Sequence, residues 1–539
     1  MQANKRAYRG RVVQMDQAFS VLDDAVVWIE GNRIKAVLDA AATPPPGFEH
    51  MMPLDTGGTL YPGLIELHNH LGYDILRLWQ IPAKYGNRGQ WRGKPAYRAA
   101  ISGPMGVLGR TPGIPPAIAR YTEAKCLMGG TTTSQGVTLA SASGIARYFR
   151  GIVRNVEESL DGTLPDAMAR LADFVAKDKD LFLRYLRDYP CLLVHLSEGV
   201  DASARDHFLD MQIGPDEWAI GPALTGIHCN ALNRQDFDRL ASFGAGMVWS
   251  PLSNLMLYGA TADIAAAKAA GVRIGLGSDW SPSGSKNLLH ELKVVRAVSD
   301  VQNLGFNDRD IIAMATISAA GLLRWNRYLG SLEAGKLADF LVVRGTNGDA
   351  YRHLLDANEE KIELVVIDGM PRYATAALRA GFSGAGEEVT VGAEKRYLNL
   401  DDANSDIIVA GLSLAAATEA LTGAMARLPA LQRDTDVLNA APPLSPMSVR
   451  EVAPDRTRRD QWTLVLDQDE PLDLNLRPRF HDELALPSAI RASSLPEALA
   501  LPLTAQDLDP LTVAGDPGYY AALATQPNVP RPILDLLHP

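Results

Sequence analysis

The sequence predicts an α/β protein whose central unit is a (β/α)8 barrel of parallel strands. Two observations lead to this prediction. Runs of four or five apolar or small residues end in a polar residue and a Gly- or Ser-bearing turn within residues 191–199, 224–232 and 272–284. Helical segments such as 166–189 and 264–270 precede apolar strand candidates. Since parallel barrel strands present side chains at their carboxyl ends, the polar residues that close these runs are expected to meet at one face.

Length and composition agree with a large hydrophobic core. The chain has 539 residues, 47% of them hydrophobic, enough for roughly two to four domains. A net charge of -11 and a pI near 5.5 argue against general binding to nucleic acid or to anionic membranes. Neither a secretory signal nor an apolar span of 18 residues is found, so a cytoplasmic protein is expected. Three cysteines without a Cys-x-x-Cys pair exclude a disulfide framework and a zinc site of paired cysteines.

The amino-terminal part, residues 8–60, predicts strands of a small β-sandwich. Short apolar runs at 11–15, 25–29 and 34–37 alternate with turns. The Gly-Asn-Arg sequence at 31–33 is a hairpin signal between the second and third runs.

An apolar run that begins at Leu60 ends in two histidines one residue apart, His68 and His70. Side chains alternate along a strand, so both imidazoles face the same side and can converge on one metal ion. Neutral imidazole is a common ligand for zinc or iron. Taken alone, the pair is equally compatible with two satisfied or solvent-facing histidines.

Three further candidates end later apolar runs: His195, His228 and Asp279. Each by itself could be a core histidine or a helix-capping aspartate. Together with His68 and His70 they form a set of five polar side chains at strand ends. A set of this size favours a metal centre over five unrelated structural roles.

The order His-x-His, His, His, Asp resembles the amidohydrolase superfamily, metal-dependent hydrolases on a distorted (β/α)8 barrel. Residues 62–70 look like the first barrel strand of that family, 129–136 like its second, and 250–257 like the Pro-x-Ser-Asn element after its sixth. His195 and Glu198 form the His-x-x-Glu of its fifth strand. The spacing is similar to that of the deaminase and triazine-hydrolase branch.

The resemblance implies four ligands for one divalent metal ion per chain, zinc or alternatively iron: His68, His70, His195 and Asp279. A bound metal lowers the pKa of a water ligand to about 7. Asp279 would accept the proton of that water, His228 would polarise the water or a substrate oxygen, and Glu198 would protonate a ring nitrogen of the substrate. These roles predict hydrolysis of a non-peptide C–N bond, as in deamination of an aminated heterocycle or a cyclic amidine.

Alternatives stay open at this point. An amide, cyclic-amide or dechlorinating hydrolase could use the same site. A catalytically silent paralogue could serve in structure or assembly, although the intact ligand set argues against it.

Two-metal members of the family use a carboxylated lysine on the fourth strand. No lysine ends an apolar strand between residues 137 and 191, which favours one metal. The fourth strand is not placed, because region 145–190 contains one strand candidate, 149–156, and one long helix.

The domain organisation follows from the resemblance, which covers roughly residues 8–375. We expect these units: 1–60, one half of a β-sandwich; 61–328, the barrel; 329–380, the second half of the sandwich; and 381–539, a carboxyl-terminal extension. Residues 405–428 predict a helix in the extension. The rest is expected to contact another subunit of a homo-oligomer, to cover the active site, or to form a separate small domain.

The segment between His70 and the second strand suggests a small-molecule substrate with an anionic group. Residues 71–100, here called the lid segment, contain six basic residues and one acid, interleaved with aromatic residues. Arg88 and Arg92 are candidates to bind a carboxylate while an aromatic ring stacks on the substrate. Trp280, which follows Asp279 directly, and Asn254 are further candidate substrate residues. The alternative is a solvated lid whose arginines pair with acids on the surface.

Overall fold

The computed structural model describes residues 5–141, 146–170, 173–174, 179–382, 384–440, 462–466 and 501–537. Its strands are β1 (Lys5–Val13), β2 (Val21–Glu30), β3 (Arg33–Asp39), β4 (Leu54–Pro62), β5 (Leu64–Ile65), β6 (Thr131–Ser134), β7 (Thr138–Ser141), β8 (Ala146–Tyr148), β9 (Arg154–Asn155), β10 (Met168–Arg170), β11 (Leu192–Leu196), β12 (Leu224–His228), β13 (Gly246–Trp249), β14 (Arg273–Leu276), β15 (Phe340–Arg344), β16 (Ile362–Ile367), β17 (Met370–Ala374), β18 (Glu387–Val391), β19 (Glu394–Leu398) and β20 (Trp462–Leu464).

The α-helices are α1 (Arg88–Arg92), α2 (Pro95–Tyr97), α3 (Gly103–Leu108), α4 (Ile114–Met128), α5 (Lys179–Asp188), α6 (Ala202–Leu209), α7 (Arg234–Ser242), α8 (Pro251–Tyr258), α9 (Ile264–Ala270), α10 (Leu288–Gln302), α11 (Asp308–Met314), α12 (Ile317–Leu322), α13 (Ala350–Leu355), α14 (Leu414–Ala426), α15 (Leu428–Ala440), α16 (Tyr519–Ala524) and α17 (Arg531–Leu537). Within the described ranges, no helix combines the length and the apolar character needed to cross a bilayer.

Parallel strands form the centre of the molecule in a TIM-barrel-like α/β arrangement. They are assigned to two sheets, β5-β6-β9 and β10-β11-β12-β13-β14, rather than to one closed barrel. Backbone hydrogen bonds connect the sheet edges: Ala167 N donates to Val156 O at 2.8 Å at one seam, and Leu67 N donates to Leu276 O and Asp279 N to His68 O, both at 3.0 Å, at the other. Helices α6, α7 and α9 alternate with β11 to β14 along the chain, as the apolar pattern predicts.

The fourth parallel strand lies where the sequence predicts helix. The strand candidate at 149–156 contains β9, which is the third parallel strand, and β10 follows at Met168–Arg170. The expected helix over 166–189 is therefore wrong at residues 168–170, and its described part is α5, Lys179–Asp188. Strands of two and three residues are too short to show a periodic pattern, so the sequence could not reveal them.

Strands from both flanks of the barrel join one nine-stranded sheet, in the order β18-β19-β17-β16-β15-β4-β1-β2-β3. The join is made by β4, which pairs with β1 in parallel and with β15 antiparallel. The two flanks thus meet edge to edge in a continuous sheet rather than face to face. Apolar residues cover both faces, including Tyr8 and Phe340 on one and Trp28 and Phe48 on the other.

The carboxyl-terminal extension lies against the barrel. Helix α14 packs on α4, and β20 pairs with β7. The helix expected over 405–428 begins later, at Leu414, and is followed by α15. Segment 501–537 packs near the lid segment, where Asn528 Nδ2 donates to Ala83 O at 3.1 Å. Residues 441–461 and 467–500 of the expected extension lie outside the described residues.

Candidate metal centre and active site

The predicted ligands lie at the carboxyl ends of barrel strands, on backbone that surrounding packing holds in place. His195 lies in β11, His228 is the last residue of β12, and Asp279 follows β14. His228 and Asp279 have φ angles of 67° and 68°, in the left-handed region that residues other than glycine rarely adopt. Because each such residue costs of order 1 kcal/mol or more, these conformations persist only where tertiary contacts enforce them.

Four imidazole rings and one carboxylate converge on one point. The His68 ring centroid lies 4.8 Å from that of His70 and 4.7 Å from that of His195. The His228 ring lies 5.1 Å from the His68 ring. Asp279 Oδ1 lies 3.1 Å from His68 Nε2 and 3.4 Å from His70 Nε2. The possible ligand atoms of His68, His70 and His195 lie within 4.8 Å of one another, which is compatible with sharing one metal ion.

Hydrogen bonds at the outer ring nitrogens orient the inner nitrogens toward this point. Gln135 Oε1 lies 3.2 Å from His68 Nδ1. Asn254 Oδ1 lies 2.8 Å from His228 Nδ1, and Asn254 Nδ2 donates to Thr261 Oγ1 at 3.2 Å. The Asn254 oxygen is therefore the acceptor, and His228 Nδ1 carries the proton. On the inner side, His68 Nε2 is buried and makes no hydrogen bond within the described part of the chain.

Protonation states favour a cation at the centre. Burial lowers the pKa of His68 and of His195, so both rings are neutral at pH 7 and offer lone pairs. Burial alone would raise the pKa of Asp279, but the His68, His228 and His70 rings beside its carboxyl outweigh burial and hold that pKa below its usual range. Neutral imidazoles beside an ionised carboxylate are the donor set of a divalent metal. The residues present therefore fit such an ion.

The two oxygens of Asp279 face different groups. Oδ1 points to His68 and His70, at the distances given above. Oδ2 accepts a hydrogen bond from Ser253 Oγ and lies 4.0 Å from His228 Nε2. One oxygen is thus turned to the ligand cluster and the other to His228.

Glu198 is a buried acid at the edge of the same cluster. Its Oε2 lies 3.9 Å from His228 Nε2 and 3.6 Å from Arg88 Nη1. Its Oε1 accepts a hydrogen bond of 2.6 Å from the hydroxyl of Tyr258. Arg88 is also paired with Asp173 at 3.0 Å, so this arginine is held between two acids.

A cleft opens onto the cluster. Its lining residues are His70, Arg88, Trp91, Arg92, Tyr97, His195, Glu198, His228, Asp279 and Trp280. His68 lies behind the lining, fully buried.

Asn254 was expected to contact substrate, but it is fully buried behind His228. Its amide is hydrogen-bonded to His228 and Thr261. Its role is therefore corrected to orienting His228.

The lid segment forms one wall of the cleft and is fixed to helix α8 and to two loops of the barrel face. Trp79 N donates to Pro282 O at 2.7 Å, Tyr85 N to Leu257 O at 3.0 Å, and Arg88 N to Glu198 O at 3.3 Å. Of its six basic residues, Arg88 and Arg92 line the cleft.

Aromatic rings surround Trp280 on the same wall. The Trp280 ring centroid lies 6.1 Å from that of Trp91, 5.2 Å from that of Tyr73 and 5.7 Å from that of His70. Trp249, the last residue of β13, is fully buried and donates to Thr261 Oγ1. Of these two tryptophans, only Trp280 lines the described cleft.

Sequence reasoning missed three residues that orient the site: Gln135, Ser253 and Tyr258. Gln135 and Ser253 lie within the motifs 129–136 and 250–257, which were assigned to strand ends without roles for these side chains. Their position in those motifs could have indicated that both side chains lie at the site. No sequence feature connects Tyr258 with Glu198.

Sequence comparison finds similarity in the second half of the barrel. Residues 221–371 match the model of the Amidohydrolase family. The chain is 31% identical over 158 residues to a 5-methylthioadenosine/S-adenosylhomocysteine deaminase of Symbiobacterium thermophilum, covering 28% of this chain and 35% of that protein. It is 27% identical over 175 residues to guanine deaminase of Escherichia coli, covering 30% and 39%. The chain thus spans little more than a third of the length of these curated relatives.

Structural similarity extends further along the chain. An atrazine chlorohydrolase of Arthrobacter aurescens TC1 complexed with zinc has a TM-score of 0.52 to this chain at 20% identity. The match covers 68% of this chain and 94% of that one. At this identity the likeness establishes a shared fold.

Proposed function

We propose that this chain, of which residues 221–371 match the Amidohydrolase family, is a metal-dependent hydrolase that deaminates an aminated heterocycle or a cyclic amidine. The observation that carries the proposal is the meeting of a metal-type ligand cluster with a separate buried acid, Glu198, in one cleft. Two relatives with partial sequence similarity bear the names of deaminases that act on purine rings, which supports the choice of reaction.

His68, His70, His195 and Asp279 would hold one divalent ion, zinc or iron. When bound, the ion makes a water molecule acidic enough to act as a nucleophile at neutral pH. A single ion is proposed because β10, the fourth parallel strand, consists of Met168, Ala169 and Arg170 and has no lysine to bridge a second.

Asp279 is the proposed base. Its Oδ1 faces His68 and His70, so Oδ2 is the oxygen free of the ligand cluster, and Ser253 orients it. Oδ2 would take the proton of the attacking water and return it to the departing nitrogen. His228, whose Nδ1 carries a proton, presents Nε2 as an acceptor and would orient that water.

Glu198 is the proposed acid. It would protonate a ring nitrogen of the substrate, which makes an amidine-like carbon electrophilic. Burial beside His228 and Arg88 places it where it can reach a ring that enters the cleft.

The substrate is proposed to be a small planar ring with an anionic substituent. Trp280 and Trp91 supply flat apolar surface, and Arg88 and Arg92 supply positive charge on the same wall. Arg88 pairs with Glu198 and Asp173, so its substitution would also disturb the proposed acid, and Arg92 is therefore the residue chosen to test the anionic substituent.

The test is release of ammonia from a panel of aminopurines, aminopyrimidines, pterins and cyclic amides by metal-loaded protein. Ammonia from at least one aminated ring, lost in the Asp279→Asn variant, is the expected result. A second candidate, hydrolysis of a chlorinated triazine or of an amide, is favoured by the structural likeness to an atrazine chlorohydrolase. Release of chloride or of a carboxylic acid without ammonia from any amine would support that candidate and contradict deamination.

A further inference from the structure

A hydrogen-bonded chain runs from the lid segment to the proposed acid. Trp91 Nε1 donates to the hydroxyl of Tyr258 at 2.9 Å, and that hydroxyl donates to Glu198 Oε1 at 2.6 Å. All three side chains are buried, with Tyr258 fully inaccessible, Trp91 5% exposed and Glu198 5% exposed. Tyr258 is not among the residues that line the described cleft.

The direction of the chain follows from the chemistry of its first member. An indole N–H can only donate, so the Tyr258 oxygen must accept from Trp91. The hydroxyl proton is then directed at Glu198 Oε1. Burial and the neighbouring Glu198 raise the pKa of Tyr258 well above its usual value, so the hydroxyl stays a donor throughout the physiological range.

This direction distinguishes the two oxygens of Glu198. Oε1 is turned to Tyr258, which lies outside the lining of the cleft, so Oε2 is the oxygen that would carry a proton to a substrate. Oε2 is the oxygen that lies 3.9 Å from His228 Nε2, on the side of the ligand cluster. A fixed Oε1 therefore also fixes the direction in which Oε2 points.

We propose that Tyr258 is a positioning residue that holds Glu198 with Oε2 toward the substrate ring, and that Trp91 couples this orientation to the lid segment. The proposal rests on the proposed function, since it assigns Glu198 as the acid. Tyr258 ends α8, the helix that follows β13, whereas Trp91 lies in α1 of the lid segment. Helix α8 and the lid segment, which are distant in sequence, are thus both connected by hydrogen bonds to the Glu198 carboxyl group.

A double-mutant cycle on metal-loaded protein tests the positioning role. Tyr258→Phe should lower kcat about 10- to 100-fold, because small displacements of a reacting group have effects of this size, while KM changes little. In the Glu198→Gln background, where no acid remains to be positioned, the same substitution should change kcat less than about twofold. An equal loss in both backgrounds would indicate a general structural role and overturn the proposal, as would no loss in either.

A matched control is Tyr61→Phe. Tyr61 lies in β4 of the nine-stranded sheet, and its buried hydroxyl donates to Ala350 O at 2.6 Å. The substitution should leave kcat unchanged. Metal content and Tm, measured for each variant, separate loss of positioning from loss of metal or of folding.

A readout that needs no turnover keeps the positioning role distinct from the proposed reaction. In 15N-tryptophan-labelled protein, the indole N–H resonance assigned to Trp91 through Trp91→Phe should move upfield in Tyr258→Phe and shift in Glu198→Gln. If these shifts occur but no compound of the panel is hydrolysed, the proposed function fails and the hydrogen-bonded chain stands. If the Trp91 resonance does not respond to Tyr258→Phe, the chain itself is wrong.

Discussion

Asp279 Oδ1 lies 3.1 Å from His68 Nε2, across the seam between the first and the last parallel strands. At this seam Leu67 N donates to Leu276 O, and Asn69 forms an isolated bridge with Asp279. Two proposed ligands from opposite ends of the barrel sequence are therefore brought together by contact between the sheet edges. The geometry of the metal site depends on that contact.

Metal content tests the ligand set. His68→Ala and His195→Ala should each lose most of a metal that the wild-type chain binds at about one ion per chain, because each removes a buried lone pair from the cluster. Elemental analysis of purified protein measures this. His50→Ala, which removes an exposed histidine, is the control. Two tightly held ions per wild-type chain, or full metal in both ligand variants, would contradict the assignment.

Variants of Asp279 and Glu198 should lose activity to different extents, which distinguishes the proposed base from the proposed acid. Asp279→Asn should abolish turnover, because an amide cannot shuttle a proton and is a poorer ligand. Glu198→Gln should lower kcat about 10²- to 10⁴-fold with the metal content unchanged. Steady-state kinetics together with elemental analysis checks both. A fully active Glu198→Gln enzyme would remove the case for ring protonation and shift the reaction toward amide hydrolysis.

Arg92→Ala should weaken binding of an anionic substrate selectively. KM should rise about 10-fold or more for a carboxylate substrate, since a hydrogen bond to a charged group contributes about 1.5–3 kcal/mol. For the neutral amide or ester of the same substrate, KM should stay nearly constant. Arg88→Ala should also lower kcat, because Arg88 lies beside Glu198.

Lys94→Ala is the matched control for the Arg92 experiment. It removes one exposed positive charge from the same segment without touching the cleft. Equal changes for the charged and neutral substrates in Arg92→Ala would instead assign the lid segment a solvated role.

Asp509→Asn should destabilise the protein strongly. Asp509 is buried and accepts from both Lys125 and Lys286 at 2.7 Å, which ties segment 501–537 to the barrel. Removing its charge leaves two buried ammonium groups undercompensated, at a cost of about 3–5 kcal/mol in the free energy of unfolding. Denaturant titration measures it. Asp535→Asn, which breaks the exposed pair with Arg531, should cost about 0–1 kcal/mol. Similar small losses in both variants would show that the segment is only loosely attached.

The stability of the protein should fall with pH in part through His290. Burial, with the charges of Lys293 and Lys286, lowers the pKa of His290 to about 3, against about 6.5 in an unfolded chain. Between these values the unfolded chain binds one more proton here, so the free energy of unfolding falls by about 1.4 kcal/mol per pH unit as the pH drops.

His290→Gln should remove this slope between pH 6 and 5, measured by denaturant titration at each pH. His50→Gln, at an exposed position, should leave the slope as it is in the wild type. An unchanged slope in His290→Gln would assign the acid sensitivity to other groups.

The sequence by itself determined the barrel class and the metal-type cluster. An apolar run that ends in a polar residue specifies both a buried strand and the side chain at its carboxyl end, as for His195 in β11 and His228 in β12. Such local patterns need no knowledge of neighbouring strands. His68 and His70 also lie together as expected, but β5 ends at Ile65, so strand alternation is not what orients them.

The tertiary structure decided everything that depends on partners distant in the chain. Strands as short as β9 and β10 exist only because neighbouring strands pair with them, so no local pattern marked them. Which basic residues of the lid segment reach the cleft, and that Tyr258 donates to Glu198, depend on the packing of separate elements. Periodicity specifies the face on which a side chain lies, whereas the atom that it meets is set by the closure of the whole fold.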